Sequence, residues 1–221
     1  QMYDVRLPQH IRDFFTIRLS WAWDSLSWYD DGGQCKAEER GKHRWPWVAH
    51  YPQVVGWDQP GVAEQVPVAV GQHPISGIGR SFHAGAQPPV DETDCTPYTP
   101  LGLHFQEQWD HALKVDPEFV FVTGWNEWTA GSALCEDPSQ DALQAQWDFF
   151  PGAKLGRATR ELKKGDVYFI DQYNQEFSRD IEPMRGGHTD HYYYQLVANI
   201  RRFKGVRPLP RSSGEITIDL E

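Results

Sequence analysis

Apolar positions in this chain gather in a few short runs, and the stretches between them carry tryptophan, proline, glycine and charge with no helical period. Phe14-Phe15-Thr16-Ile17-Arg18-Leu19-Ser20 is short, aromatic and β-branched, which predicts a first strand. From Trp21 to Gln65 no periodic pattern emerges, and a structureless stretch of that length is usually functional. Val66-Pro67-Val68-Ala69-Val70-Gly71 is a continuous apolar run of the kind buried on both faces of a parallel sheet. Leu101, Phe105, Trp109, Ala112 and Leu113 share one stripe and predict a helix over 101–115, which Asp116-Pro117 ends. Phe119 to Gly124 reads as a further buried strand, 140–147 as a short helix, and Val167 to Asp171 as a fourth strand. Thr189 reads as the N-cap of a last helix over 190–203, with Tyr193, Leu196, Val197 and Ile200 on its buried face and Gly205 as its stop.

Apolar strands spaced for crossover connections define an α/β fold with a parallel sheet. In such sheets ligand sites form at the carboxyl ends of the strands. Here each strand is followed at once by polar or aromatic residues: Ser20-Trp21-Ala22-Trp23-Asp24, Gln72-His73-Pro74, Trp125-Asn126-Glu127-Trp128 and Asp171-Gln172-Tyr173-Asn174.

Composition narrows the ligand. Aromatic residues are 14% of the chain, with ten tryptophans, whose flat faces suit the apolar face of a sugar or a base. The formal net charge of -10 repels a polyanion over most of the surface, which disfavours nucleic acid and moves sugars up. No run approaches the roughly 20 apolar residues of a membrane span, and Gln1-Met2-Tyr3-Asp4 is not the start of a secretory leader. Cys35, Cys95 and Cys135 match no zinc or redox spacing; they allow one disulfide with a spare thiol, or three thiols. A phosphate-binding loop, a serine elbow and a dinucleotide fingerprint are all missing from the sequence.

Glu127 is the foremost candidate for chemistry. It follows a buried strand directly, and Trp125 and Trp128 beside it predict a partly apolar pocket that raises its pKa, with Asn126 ready to bond a hydroxyl. The plainer alternative is a glutamate paired to an arginine that closes the sheet end. Glycoside hydrolysis needs a second carboxyl about 5 to 5.5 Å away for retention, or about 6.5 to 9.5 Å for inversion. Asp171 at a neighbouring strand end is the most economical choice, with Asp24, Glu176 and Asp180 as further candidates. Trp23, Asp24, His73, Arg80 and His83 are placed to contact a substrate. His73, His83 and Asp24 also define a remote metal-dependent alternative, although their spacing is loose and no metal is expected. His188 and His191 read as the neighbourhood of a helix cap.

The run Phe121-Val122-Thr123-Gly124-Trp125-Asn126-Glu127-Trp128 resembles the W-N-E-W region of glycoside hydrolases related to families 71 and 99. Further stretches resemble the same group: Trp45-Pro46-Trp47 with His50-Tyr51-Pro52-Gln53, Gly79-Arg80-Ser81-Phe82-His83, Phe105-Gln106-Glu107-Gln108-Trp109, and Asp171-Gln172-Tyr173-Asn174-Gln175-Glu176. The resemblance implies a (β/α)8 barrel, hydrolysis of α-linked glucan or mannan, and no redox cofactor. In family 99 a second glutamate three residues after the first completes the catalytic pair, whereas this chain has Ala130 there. Either another carboxylate such as Asp171 takes that role, or the protein is a carbohydrate-binding module that does not cleave.

A complete barrel takes about 250 residues and eight strands. Four predicted strands in 221 residues therefore make residues 1–205 the C-terminal part of a (β/α)8 TIM-type barrel and 206–221 an exit segment. The missing strands are expected from an upstream segment or a second chain, and the protein is expected to be secreted.

Overall fold

The computed structural model describes residues 8–22, 40–72, 77–90, 95–129, 132–146, 161–169 and 174–205. The elements in chain order are α1 (Gln9–Phe14), β1 (Leu19–Ala22), β2 (Arg44–Val48), β3 (Gln65–Ala69), α2 (Leu103–Val115), β4 (Phe119–Thr123), β5 (Ser132–Leu134), α3 (Gln140–Gln146), β6 (Val167–Phe169) and α4 (His191–Phe203). The expected strand at 14–20 begins only at Leu19, because Phe14 closes a short helix and both Phe14 and Phe15 are exposed.

The strands form three two-stranded ladders. β1 pairs with β2 and β3 with β4, both in parallel. β3, α2 and β4 make the crossover unit that the apolar spacing predicts, with Val66 opposite Val120 and Val68 opposite Val122. β6 differs from its expected parallel role: it lies antiparallel to β5, with Ala133 opposite Tyr168. Among the described residues no barrel closes, and residues 206–221 lie outside them.

β2 falls inside the stretch that carries no periodic signal. It lies against β3 with the same sense, and side-chain amides span the seam instead of a ladder. Gln65 Nε2 donates to the Pro46 carbonyl at 3.0 Å near the strand starts, and Gln72 Nε2 donates to the Ala49 carbonyl at 2.8 Å past the ends. Gln108 on α2 bridges both strands, accepting the Ala69 N–H and donating to Ala49, each at 2.9 Å. At the opposite end Glu64 gathers the strand starts, taking two bonds from Arg18 at 2.7 and 2.5 Å and one from the Trp45 indole at 3.0 Å. The Arg18 hydrogen bond is the main cause that holds this carboxyl below its usual range.

The apolar core lies where α2 and α4 cover one face of β3 and β4. Val66, Val68, Val70, Phe105, Trp109, Ala112, Ile181 and Tyr192 form one buried cluster. Phe105, Trp109 and Ala112 occupy the stripe expected of α2, whereas Leu101 sits in a preceding 3-10 turn and is exposed. In α4 Leu196 and Ile200 pack against the core as expected, but the inward face is rotated at its other two positions. Tyr192 and Asn199 are buried, while Tyr193 and Val197 face outward. The start is also displaced: Thr189 has φ 52°, and Asp190 occupies the cap position. Asn199 explains part of the rotation, since its amide pairs with Gln106 of α2 at 3.1 Å and needs the inner position. Among the described residues no helix is long and apolar enough to cross a membrane.

Phe105 is fully buried between Trp109 and Tyr192, with ring centroids 6.3 and 6.2 Å away. Phe105→Ala should therefore lower stability by about 3–5 kcal/mol, read from urea denaturation midpoints.

Candidate functional site

β4 ends at Gly124, whose φ of +81° turns the chain sharply, and a Cβ there would stand 2.2 Å from the Arg179 carbonyl oxygen. Only glycine lets residues 179–182 close over the strand end. That segment docks through two backbone bonds, Ile181 N–H to the Gly124 carbonyl at 2.8 Å and Glu182 N–H to the Trp125 carbonyl at 3.0 Å. Glu127 therefore emerges beside Arg179 and Asp180. The Asp180 carboxylate accepts the Glu127 backbone N–H, and Arg179 Nη2 stands 3.6 Å from Glu127 Oε2. The Arg179 side chain is only 4% exposed and Glu127 is 54% exposed, so the cation is inside and the carboxylate faces solvent. The Arg179 guanidinium also lies over Trp47, 5.6 Å from the ring centroid, which brings the end of β2 to the same place. Thr123 makes a second link, donating its hydroxyl to the Trp47 carbonyl.

The apolar pocket expected around Glu127 is not formed by its neighbours in sequence. Trp125 turns toward Tyr193, and the Trp128 indole donates to Glu182 at 2.7 Å. Asn126 is exposed at the same turn.

Arg80, expected to face substrate, is fully buried. Its Nε donates to the Gln175 carbonyl at 2.9 Å, and its Nη2 to Ser178 Oγ at 3.2 Å and the Asp180 carbonyl at 2.6 Å. Its guanidinium also stacks 4.4 Å from the Tyr192 ring centroid. Arg80 is therefore a brace for 175–180 and not a substrate contact.

Glu176 reciprocates. It is fully buried, and its carboxylate accepts Ser81 N–H and Gln87 Nε2 at 2.8 Å each, Ser81 Oγ at 2.9 Å and Thr99 Oγ1 at 2.6 Å. A Cβ on Gly79 would lie 2.4 Å from this carboxylate, so the approach demands glycine. Glu176 and Asp180 are thus spent on structure, which removes both as the second catalytic carboxyl. His83 is exposed on a tight turn between the brace residues Ser81 and Gln87, its backbone paired with Ala86 across Ala84 and Gly85. Asp171, Trp23, Asp24 and His73 lie outside the described residues, as do Ala130 and Cys35, while Cys135 is a buried thiol. Among the described residues no group of three or more histidine, cysteine or acidic side chains is placed to hold a metal.

Sequence reasoning missed Arg179, Trp47 as its platform, and the outward rings of Tyr193 and Tyr194. Only the charged pair Arg179-Asp180 following Ser178 gave a signal, and nothing in its spacing ties it to Glu127. Comparison with protein-family models, with curated proteins and with solved structures finds no match to this chain.

Two predictions follow from the brace. Glu176→Ala strands four donors and should cost about 3–5 kcal/mol of stability, while Glu176→Gln should cost about 1–2 kcal/mol because the Ser81 and Thr99 hydroxyls can turn to accept. Equal losses in urea titration would contradict this assignment. The second concerns pH. Burial pushes the His104 and His188 imidazoles down to about 3, with His50 adding to the effect at His104 and Arg80 to that at His188. Both stay neutral in the fold while the unfolded chain takes up their protons below about 6.5. Stability should thus be level for these groups above that pH and fall steadily as pH drops from 6.5 toward 3, a trend thermal melts would record and His104→Gln should flatten.

Proposed function

We propose that this protein is a glycoside hydrolase that cleaves an oligo- or polysaccharide at the carboxyl ends of its parallel strands, with Glu127 as the central catalytic residue. The observation that supports the reading is the setting of Glu127. Its backbone is held by buried Asp180, its carboxylate is open to solvent, and buried Arg179 stands 3.6 Å from one oxygen. A carboxylate fixed in position yet reachable is what attack at, or proton exchange with, an acetal requires. Asp171 supplies the second carboxyl in this reading, since Glu176 is occupied by four donors and buried Asp180 holds the Glu127 backbone N–H. Trp23, Asp24, His73, Trp125, Asn126 and Trp128 contact the sugar, and the chemistry needs no redox cofactor. The same reading makes residues 1–205 the C-terminal part of a (β/α)8 barrel completed by an upstream segment or a second chain, in a secreted protein that acts on α-linked glucan or mannan.

A second reading, a carbohydrate-binding protein without activity, is favoured by Ala130 and by the Arg179 pairing, because a glutamate can serve only to neutralise a buried cation. Glu127→Gln separates the two. Release of reducing ends from a susceptible glycan should fall at least about a hundredfold while retention on a glycan-containing gel persists. Unchanged turnover would sink the catalytic assignment. Retention of the wild-type protein with no reducing ends from any α- or β-glycan would establish the binder.

A further inference from the structure

Helix α4 places Tyr192 in the core, so its next two positions turn outward. Tyr193 is 40% exposed, Tyr194 62% and Trp125, at the end of β4, 47%. The three rings run in series. Trp125 and Tyr193 have centroids 6.0 Å apart at 72°, and Tyr193 and Tyr194 are 5.6 Å apart at 66°. No hydrogen bond within the described residues engages the two phenol hydroxyls, the Trp125 indole N–H or the amide of exposed Asn126. An exposed cluster of large aromatic ring faces is costly to leave in water and marks a binding surface, and polar tips that no protein group engages are open to a ligand.

The geometry points to a neutral-sugar subsite formed by Trp125, Tyr193 and Tyr194, which extends the site of Glu127 across the start of α4. The proposal rests on the carbohydrate reading above and names where the sugar lies. Trp125 is two residues from Glu127 in the chain, and the steep angles between the rings leave separate faces for successive sugar units. Flat ring faces match the C–H face of a pyranose, and the hydroxyls, the indole N–H and Asn126 match its equatorial hydroxyls. Neutral sugar fits better than an anionic one, because Glu182, whose backbone N–H bonds the Trp125 carbonyl, borders the patch and the chain carries a formal net charge of -10. A protein partner fits less well, since the core of a protein interface is depleted of charge and Glu182 borders this surface at Trp125.

The test is affinity gel electrophoresis with soluble neutral α-glucan, α-mannan and β-glucan, and with anionic polygalacturonate, on the full chain. Wild-type protein should be retarded by at least one neutral polymer and less by polygalacturonate. Tyr193→Ala and Tyr194→Ala should each weaken that retardation about tenfold in affinity, with the thermal midpoint unchanged for the 62% exposed Tyr194 and only slightly lowered for the 40% exposed Tyr193. Tyr193→Phe and Tyr194→Phe keep the stacking faces and should retain most of the binding. Alanine variants that bind like wild type would overturn the subsite, as would no retardation by any neutral polymer. A concentration-dependent dimer abolished by Tyr194→Ala, without glycan binding, would also overturn it and assign the patch to self-association. If Glu127→Gln turns over normally while the tyrosine variants lose binding, the subsite stands and the catalytic assignment falls; the reverse pattern separates them the other way.

Discussion

Two buried charges organise this molecule by solvating each other's loops. Arg80 sends its guanidinium into the backbone of 175–180, and Glu176 sends its carboxylate into the turn around Ser81, Gln87 and Thr99. A further bond joins the same segments, from the Arg80 N–H to the Glu176 carbonyl at 2.8 Å. Each charge would be very costly to bury alone, and each becomes tolerable because fixed dipoles replace its water. Segments separated by almost a hundred residues in the chain are thereby held in one arrangement. Neither charge needs a direct ion pair for this, since backbone carbonyls, hydroxyls and an amide do the solvating.

The candidate site inherits its geometry from that arrangement. The carbonyl of Asp180 is held by Arg80, and the carboxylate of the same residue holds the backbone of Glu127. Arg179, one residue earlier, then reaches both Glu127 and Trp47. The chain of contacts runs from a buried arginine through a loop to an exposed carboxylate, so rigidity in the interior becomes position at the surface. Tyr192 belongs to the same system: its ring receives Arg80 and its hydroxyl donates to the Thr99 carbonyl, and burial is the main reason the phenol is pushed up to about 12. Fixing Tyr192 inward is what turns Tyr193 and Tyr194 toward the solvent beside Trp125.

Legibility varied with how local the cause was. The runs Val66–Ala69 and Phe119–Thr123 are apolar enough to be strands wherever they lie, and the stripe of Phe105, Trp109 and Ala112 demands a helix with one buried face. β2 was hidden because Arg44-Trp45-Pro46-Trp47-Val48 contains a proline and no alternation; it is a strand because β1 pairs with it and glutamine amides from β3 and α2 take up the Pro46 carbonyl within it and the Ala49 carbonyl just past its end. β6 has a strand's composition, but whether it would pair in parallel or with β5 was not encoded in its residues. The rotation of α4, which keeps Leu196 and Ile200 inward but turns Tyr193 and Val197 out, goes with two polar contacts, Asn199 to Gln106 and Tyr192 to Thr99.

The sequence by itself determined the crossover unit of β3, α2 and β4, the position of Glu127 directly after a strand, and a chain rich in tryptophan and negative charge. These follow from apolar periodicity and composition, which act within a few residues. Tertiary structure alone decided that Arg80 and Glu176 are structural, that Arg179 meets Glu127, and that two tyrosines stand outside the core. A charged side chain in a loop carries no local mark of whether it will face water or be solvated by another loop. That depends on which distant donors and acceptors the fold brings within about 3 Å.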